Sequence, residues 1–311
     1  MKILCSGDWH IRATPTKYRT SEYTDLMFNK IKWIIDFAIE QKCFVILQPG
    51  DFFDSPDIPN HINKRLIKLI LGYHGNVYTV FGQHDTKYRN LDNTALAVLA
   101  EAEVIDILND TPIEYEETLP VHIYGASWEK LIPKPTDNKA CNILVLHKMI
   151  VKDKPLFPDQ TDYLRANDFA TKCKDYNIII SGDNHNSFSY TPNGHRLPSV
   201  INCGSLMRMT TAQYTHRPCV WLFDTITNKI TQHYIPIKPV QEVFKPEAAE
   251  MKERDKKMDA FIKTITNTND DLQLSFEDNL KTLLSNKKVR TDIQKLAKDF
   301  IKKYYEQGVI K

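Results

Sequence analysis

Cys43-Phe44-Val45-Ile46-Leu47-Gln48-Pro49-Gly50-Asp51-Phe52-Phe53-Asp54 joins a continuous apolar run to a Gly-Asp step. The run 43–47 has no polar position and is short for a helix, so it predicts a strand buried on both faces. The same grammar occurs on either side. Upstream, Ile3-Leu4-Cys5 leads into Asp8-Trp9-His10; downstream, the run 77–81 leads into Gly82-Gln83-His84-Asp85. Between these runs, Leu26-Met27, Ile31, Ile34-Ile35 and Ala38 recur at helical spacing, as do Leu66, Ile67, Ile70 and Leu71. Residues 93–102 read as another helix. This βαβαβ rhythm predicts an α/β fold, a sheet with helices on its faces. Later strands are expected at 121–124, 142–146, 177–181, 200–203, 219–224 and 230–235, the last two as an antiparallel hairpin joined across Asn228.

The chain has 311 residues, 42% of them hydrophobic and 26% charged, which excludes wholesale disorder and a fibrous protein. Its longest apolar runs, such as Trp33-Ile34-Ile35 and Ile143-Leu144-Val145-Leu146, fall far short of the ~20 residues of a membrane-spanning helix, so no membrane partner is expected. Met1-Lys2-Ile3-Leu4 opens straight into a strand, without a signal-peptide pattern. The six cysteines form no CxxC pair and several sit in apolar runs, which predicts reduced, buried thiols in a cytoplasmic protein. With 41 basic against 39 acidic residues, the chain is too balanced to grip nucleic acid by charge alone. It has no phosphate loop of the G-x-x-x-x-G-K-[ST] kind and is not expected to hydrolyse ATP itself. Composition shifts near residue 240, where Pro236, Pro239 and Pro246 punctuate the chain. The expected domains are therefore 1–240 and a helical region at 241–311. In the latter, Met258, Phe261, Ile262 and Ile265 form one stripe, and Ile293, Leu296-Ala297, Phe300 and Tyr304 another. Residues 287–303 carry seven bases against two acids, which suits either a solvated helix face or a face for a partner or DNA.

Five polar clusters fall at predicted strand ends. Asp8-x-His10, Gly50-Asp51 with Asp54, and Gly82-Gln83-His84-Asp85 are joined by His147 after the run 143–146 and Gly182-Asp183-Asn184-His185 after Ile178-Ile179-Ile180. In open α/β sheets, sites form beyond the carboxyl ends of the strands, so the fold would bring these groups together. Carboxylates and imidazoles suit Mn, Fe, Zn or Mg. A carboxylate shared by two such cations bridges them at about 3.5–4 Å, the separation used for in-line displacement at phosphorus. Singly, each cluster has an ordinary explanation: Asp8-x-His10 as a turn, His147 as a satisfied core histidine, Asp54 as a helix cap. Chance explains all five poorly.

In this order the clusters resemble the signature of calcineurin-like metallophosphoesterases: Asp-x-His, Gly-Asp-x-x-Asp, Gly-Asn-His-Asp, His, Gly-His-x-His. The details resemble the nuclease branch, the SbcD family and its phage-encoded relatives. They are Gly50-Asp51-Phe52-Phe53-Asp54-Ser55, Asn202-Cys203-Gly204-Ser205-Leu206-Met207-Arg208 and the helical tail. The resemblance covers about residues 1–235 and implies two packed β-sheets, a β-sandwich flanked by helices.

Carried over by position, Asp8, His10, Asp51 and His185 would hold a first metal, with Asp51 bridging. Gln83, His147 and Asp183 would complete a second. His84 would protonate the leaving oxygen, Asp85 would hold its ring, and Asp54 would orient a ligand. Gln83 stands where the family has Asn, and Asp183 where it has His. Both substitutes ligate through oxygen, which favours Mn²⁺ or Mg²⁺ over Zn²⁺. Arg12, Lys17, Arg19 and Arg208 are candidates for contact with DNA phosphates. The resemblance further implies exonuclease and structure-directed endonuclease activity on DNA in repair and recombination. It also implies a homodimer and an SMC-like ATPase partner of the SbcC type, docked by the tail. A phosphatase or cyclic phosphodiesterase on the same fold, and a scaffold with a decayed metal site, are the alternatives.

Overall fold

The computed structural model describes residues 1–87, 91–155, 160–193, 197–251, 253, 254, 257 and 295. The chain begins with β1 (Lys2–Cys5), α1 (Tyr23–Glu40), β2 (Val45–Gln48), α2 (Asn60–Ile70), β3 (Asn76–Thr79), α3 (Ala95–Glu101) and β4 (Asp106–Ile107). It continues with β5 (Ile113–Tyr115), β6 (Val121–Ala126), β7 (Cys141–Leu146), β8 (Ile150–Val151), β9 (Leu164–Arg165), α4 (Ala166–Lys172), β10 (Ile178–Ser181), β11 (Phe188–Tyr190) and β12 (Ser199–Asn202). A hairpin of β13 (Cys219–Asp224) and β14 (Lys229–Tyr234) and the short helix α5 (Val240–Val243) follow.

Two six-stranded mixed sheets result. One has the order β14-β13-β1-β2-β3-β4, the other β11-β12-β10-β7-β6-β5. In each, four neighbouring strands run parallel, and the antiparallel strands lie toward the edges. The α/β expectation of two packed sheets flanked by helices is met, and the hairpin turns at Asn228, which takes a left-handed φ of 56°.

Period-two alternation inside the apolar runs explains the layering. Ile3, Cys5, Val45, Leu47, Ile143, Val145, Ile178 and Ile180 share one core cluster with Val121, Ile123 and Phe223, fed by both sheets. Leu4 and Ile46 point the other way, into a cluster with Met27, Ile31 and Ile34 of α1 and Leu66 of α2. Leu144, Leu146 and Ile179 meet Phe169 of α4 in a third. Because both strand faces are covered, the strands read as near-continuous apolar runs. Each fully buried Ile or Leu contributes ~1.5–3 kcal/mol of transfer free energy. All six cysteines are free and buried in these layers.

Met1–Ala248 form one compact unit, which continues past the boundary expected at 240. The physical reason is a small cluster in which Val243, Phe244 and Ala248 pack against Tyr18 and Leu26, with Lys245 N–H donating to the Tyr18 carbonyl at 2.9 Å. The two apolar stripes expected at 258–265 and 293–304 lie outside the described residues. Among the described residues, no helix is long and apolar enough to cross a membrane.

Candidate metal centre

The loops after β1 and β2 are zipped together by backbone hydrogen bonds. His10 N–H donates to the Asp51 carbonyl at 2.9 Å, Ile11 N–H to Phe52 at 3.0 Å, and Asp54 N–H to Ile11 at 3.1 Å. The loop after β10 joins them through Asp183 N–H, which donates to Asp8 Oδ2 at 2.9 Å. The segment after β12 joins through Leu206 N–H, which donates to the Asp8 carbonyl at 2.8 Å. Three residues of this junction, His10, Asp51 and Asp183, hold left-handed φ values of 45°, 48° and 74°. Such backbone is costly outside glycine and persists where surrounding structure demands it.

These loops bring most of the expected side chains together. The Nε2 atoms of His10 and His185 face each other at 3.0 Å. Asp51 Oδ2 lies 3.3 Å from His147 Nε2 and 3.6 Å from His10 Nε2. Asp8 Oδ2 lies 3.9 Å from His185 Nε2. Asp51 Oδ2 therefore stands between the imidazoles of His10 and His147. His147 Nδ1 meets the Pro49 carbonyl oxygen at 2.7 Å. A carbonyl only accepts, so Nδ1 carries a hydrogen and Nε2 is the nitrogen turned into the cluster. Gly50 and Gly182 leave room for that ring: a Cβ on either would sit 2.6 Å from His147 Nδ1. At Gly182 a Cβ would also lie 2.7 Å from Asp8 Oδ1.

The donor set fits divalent cations. Asp8 Oδ1, His10 Nδ1 and His147 Nε2 are buried without a hydrogen-bond partner, and buried polar atoms are seldom left so. Asp8, His10 and His185 offer ligand atoms within 4.8 Å of one another. The electrostatics show the same demand. Burial pushes His10 down to about 3 and His185 down to about 4, while it drives Asp8 up. Burial also opposes charge on Asp51 and His147, but their mutual attraction dominates, so Asp51 is held below the carboxylate range and His147 rises to about 10. A cation would replace that proton as the partner of Asp51.

Several side chains are placed differently from the expected roles. Asp85 does not hold the His84 ring. Its buried carboxylate accepts the N–H groups of Phe53, Gly82 and Phe52 at 2.8, 2.9 and 3.1 Å, which ties the β2 and β3 loops together. His84 instead sets Nδ1 3.1 Å from the Asp54 carbonyl oxygen, and its own N–H donates to Asp51 Oδ1 at 2.9 Å. His10, Asp54 and His84 offer a second set of ligand atoms within 4.8 Å, so Asp54 stands closer to the centre than an orienting role requires. Gln83 is exposed, and its carbonyl accepts from the Thr86 hydroxyl at 3.0 Å. Arg12 pairs with Asp54 at 3.0 Å, at the edge of the site. Arg208 is only 3% exposed and donates to the Lys238 carbonyl, and Arg19 is 2% exposed, so neither presents a surface to DNA in this conformation. Lys17 is exposed.

Sequence reading passed over Gln48. It is fully buried at the end of β2, donates to the Gly7 and Gly50 carbonyls at 3.2 and 2.6 Å, and accepts from Gly50 N–H at 3.0 Å. A polar residue closing an apolar run was the available signal. Trp9 packs beneath the ligands, on Phe52 at 4.8 Å between ring centroids.

Over 88 residues, 27% of this chain, the sequence is 28% identical to the DNA double-strand break repair protein Mre11 of Aeropyrum pernix; the chain spans about a fifth of that relative's length, 21%. Among solved structures, TT1561 of Thermus thermophilus superposes with a TM-score of 0.49 at 11% identity, covering 76% of this chain and 99% of that one. A dimetal phosphatase from Danio rerio superposes with a TM-score of 0.46 at 10% identity, covering 77% and 97%. The pattern of the calcineurin-like phosphoesterases matches residues 1–187, which contain every expected metal ligand. That match takes in more than half of the sequence, and the chain belongs to the calcineurin-like phosphoesterase family.

Proposed function

We propose that this phosphoesterase is a metal-dependent DNA nuclease that hydrolyses phosphodiester bonds, as an exonuclease with structure-directed endonuclease activity, in DNA repair and recombination. The observation that carries the reading is the shape of the rim. Asp8, His10, Asp51 and His147 form a buried floor, whereas Gln83 and His84 are exposed and the His185 side chain is 37% exposed. A polymer's phosphodiester reaches such a rim without entering a closed pocket. The similarity to Mre11, a DNA double-strand break repair protein, supports DNA as that polymer.

Asp8, His10, Asp51 and His185 would hold one cation, and Asp51, His147 and Asp183, with Gln83 on the rim, a second. Two bound cations would polarise the phosphodiester and offset the charge that builds on its oxygens. The oxygen-rich second set favours Mn²⁺ or Mg²⁺. The Pro49 carbonyl orients the His147 ring. With Nδ1–H of His84 given to the Asp54 carbonyl, the ring in its imidazolium form would carry a second hydrogen on Nε2, and that is the proton it would deliver to the departing sugar oxygen. Asp85 keeps the two loops at fixed separation. On this reading the protein works in the cytoplasm as a homodimer beside an SMC-like ATPase of the SbcC type, and residues 249–311 dock on that partner.

Linear duplex DNA incubated with Mn²⁺ is the direct test, with nitrophenyl phosphate as the comparison. Mn²⁺-dependent shortening of the duplex is expected. Rapid turnover of nitrophenyl phosphate with the duplex left whole would make the protein a phosphatase instead.

A further inference from the structure

Outside the metal-ligand cluster, three cations converge on one face of α1. Arg19 comes from the segment before the helix, Lys30 from the helix itself, and Arg208 from the segment after β12. They are 2%, 9% and 3% exposed. Each spends one N–H on a backbone carbonyl: Arg19 on Arg208, Lys30 on Leu206 at 2.8 Å, and Arg208 on Lys238 at 2.7 Å. Arg19 also lies over the Tyr23 and Phe244 rings, each 4.9 Å away, yet Nε of Arg19 and Nε of Arg208 are both buried without a hydrogen-bond partner. Among the described residues, the charged groups that act on Lys30 are the other two cations, and they reinforce the downward push that burial gives its ammonium. Glu22, at the start of α1, is occupied by Lys238 at 2.9 Å. Burying charges of one sign together is unfavourable unless an opposite charge joins them.

The space for one is present. A cavity of about 290 Å³ is lined by all three cations and by Trp33, Met207 and Ile237. Trp33 is held flat against Phe37, with ring centroids 4.9 Å apart and planes 9° from parallel. A cationic floor beside a flat aromatic wall suits an anion that carries a planar ring.

We propose that this cavity binds a phosphate ester of the nucleoside monophosphate class, with its phosphate on Arg19, Lys30 and Arg208 and its base against Trp33. The inference stands on this cluster and does not require the nuclease reading.

The test uses the full chain stripped of metal with EDTA, so that the metal centre adds no affinity for phosphate. Deoxyadenosine monophosphate, inorganic phosphate and deoxyadenosine are titrated by calorimetry at constant chloride ionic strength, and Tm is followed in parallel. Deoxyadenosine monophosphate should bind and raise Tm, inorganic phosphate should bind roughly tenfold more weakly or less, and deoxyadenosine should not bind. Lys30→Met should weaken both phosphate ligands by about tenfold or more. Trp33→Leu should weaken only the nucleotide. Absence of binding by either phosphate ligand, or equal nucleotide affinity in wild type and Lys30→Met, overturns the site. Nucleotide binding no tighter than inorganic phosphate overturns the ring assignment. Since the assay contains no metal, its failure is separable from a failure to cleave DNA.

Discussion

Oδ2 of Asp51 lies 3.3 Å from Nε2 of His147, whose opposite nitrogen is pinned to the Pro49 carbonyl. The same oxygen is 3.6 Å from His10 Nε2, so one carboxylate atom serves imidazoles from two different loops. Replacing it should uncouple the two halves of the centre. Asp51→Asn should lower Mn²⁺ affinity by more than the roughly 10–100-fold that loss of an outer partner costs, and should remove one of two bound metals per chain. Calorimetry and elemental analysis of dialysed protein check both; two tightly held metals in the variant would contradict the bridge.

His84 and Asp85 are neighbours in sequence with separate work. His84→Ala should keep metal affinity and slow cleavage by roughly 10²–10⁴. Asp85→Ala should act on the fold, because three buried N–H groups lose their acceptor and each unsatisfied group costs ~1–3 kcal/mol. A fall in Tm on the order of 10 °C is expected for Asp85→Ala, with a far smaller one for His84→Ala. Equal stabilities by calorimetry would restore Asp85 to a purely catalytic part.

At Gly182 the added methyl of an alanine meets His147 Nδ1 at 2.6 Å and Asp8 Oδ1 at 2.7 Å. The Pro49 carbonyl, which the methyl meets more closely still, and a candidate ligand from each half of the centre must then shift. Gly182→Ala should weaken Mn²⁺ binding about 10–100-fold, with an overpacking cost of ~1–3 kcal/mol. Unchanged metal affinity in a folded variant would show that neither side chain ligates.

Lys30 ties stability to pH. Burial, then Arg208 and Arg19, lower it from 10.5 to about 7, and His216 also faces this group. Between these values the unfolded chain binds the proton that the folded chain has lost, so the Lys30 contribution to stability rises with pH from about 7 toward 10.5. Below pH 7 the penalty of the buried ammonium is fully present. Denaturant titrations at several pH values should show this rise in wild type and its absence in Lys30→Met; parallel curves would refute it.

The partner proposal also has a defined cut. Phe244 and Ala248 are buried against Tyr18 and Leu26, so truncation at 245 would remove part of an apolar seam, whereas removal of residues 249–311 retains every described residue of that cluster. The shortened chain should retain Mn²⁺ binding and lose co-purification with an SbcC-type ATPase. Retained co-purification would place the docking surface elsewhere.

Much of the fold was legible in the runs 43–47, 77–81 and 178–180, because strands covered on both faces are mostly apolar and leave near-continuous apolar runs, with buried polar residues such as Gln48 and Thr79 near their ends. The ligand types were legible for a related reason: Asp, His and Gly recur where such runs stop, and chain connectivity places those stops on one rim. The domain limit was less so, since Pro236, Pro239 and Pro246 mark a change of composition, while the packing of Phe244 ignores it.

By itself, then, the sequence determined the alternation of strands and helices and the order of polar clusters at the strand ends, both being consequences of local periodicity and chain order, while the pairing of two sheets was implied by the family resemblance. Only the tertiary structure decided where each side chain turns. It gave Asp85 to three backbone N–H groups, His84 to a carbonyl, and Arg19 and Arg208 to the wall of a cavity beside α1. Those choices depend on hydrogen-bond partners many residues away, whose distances no local pattern encodes.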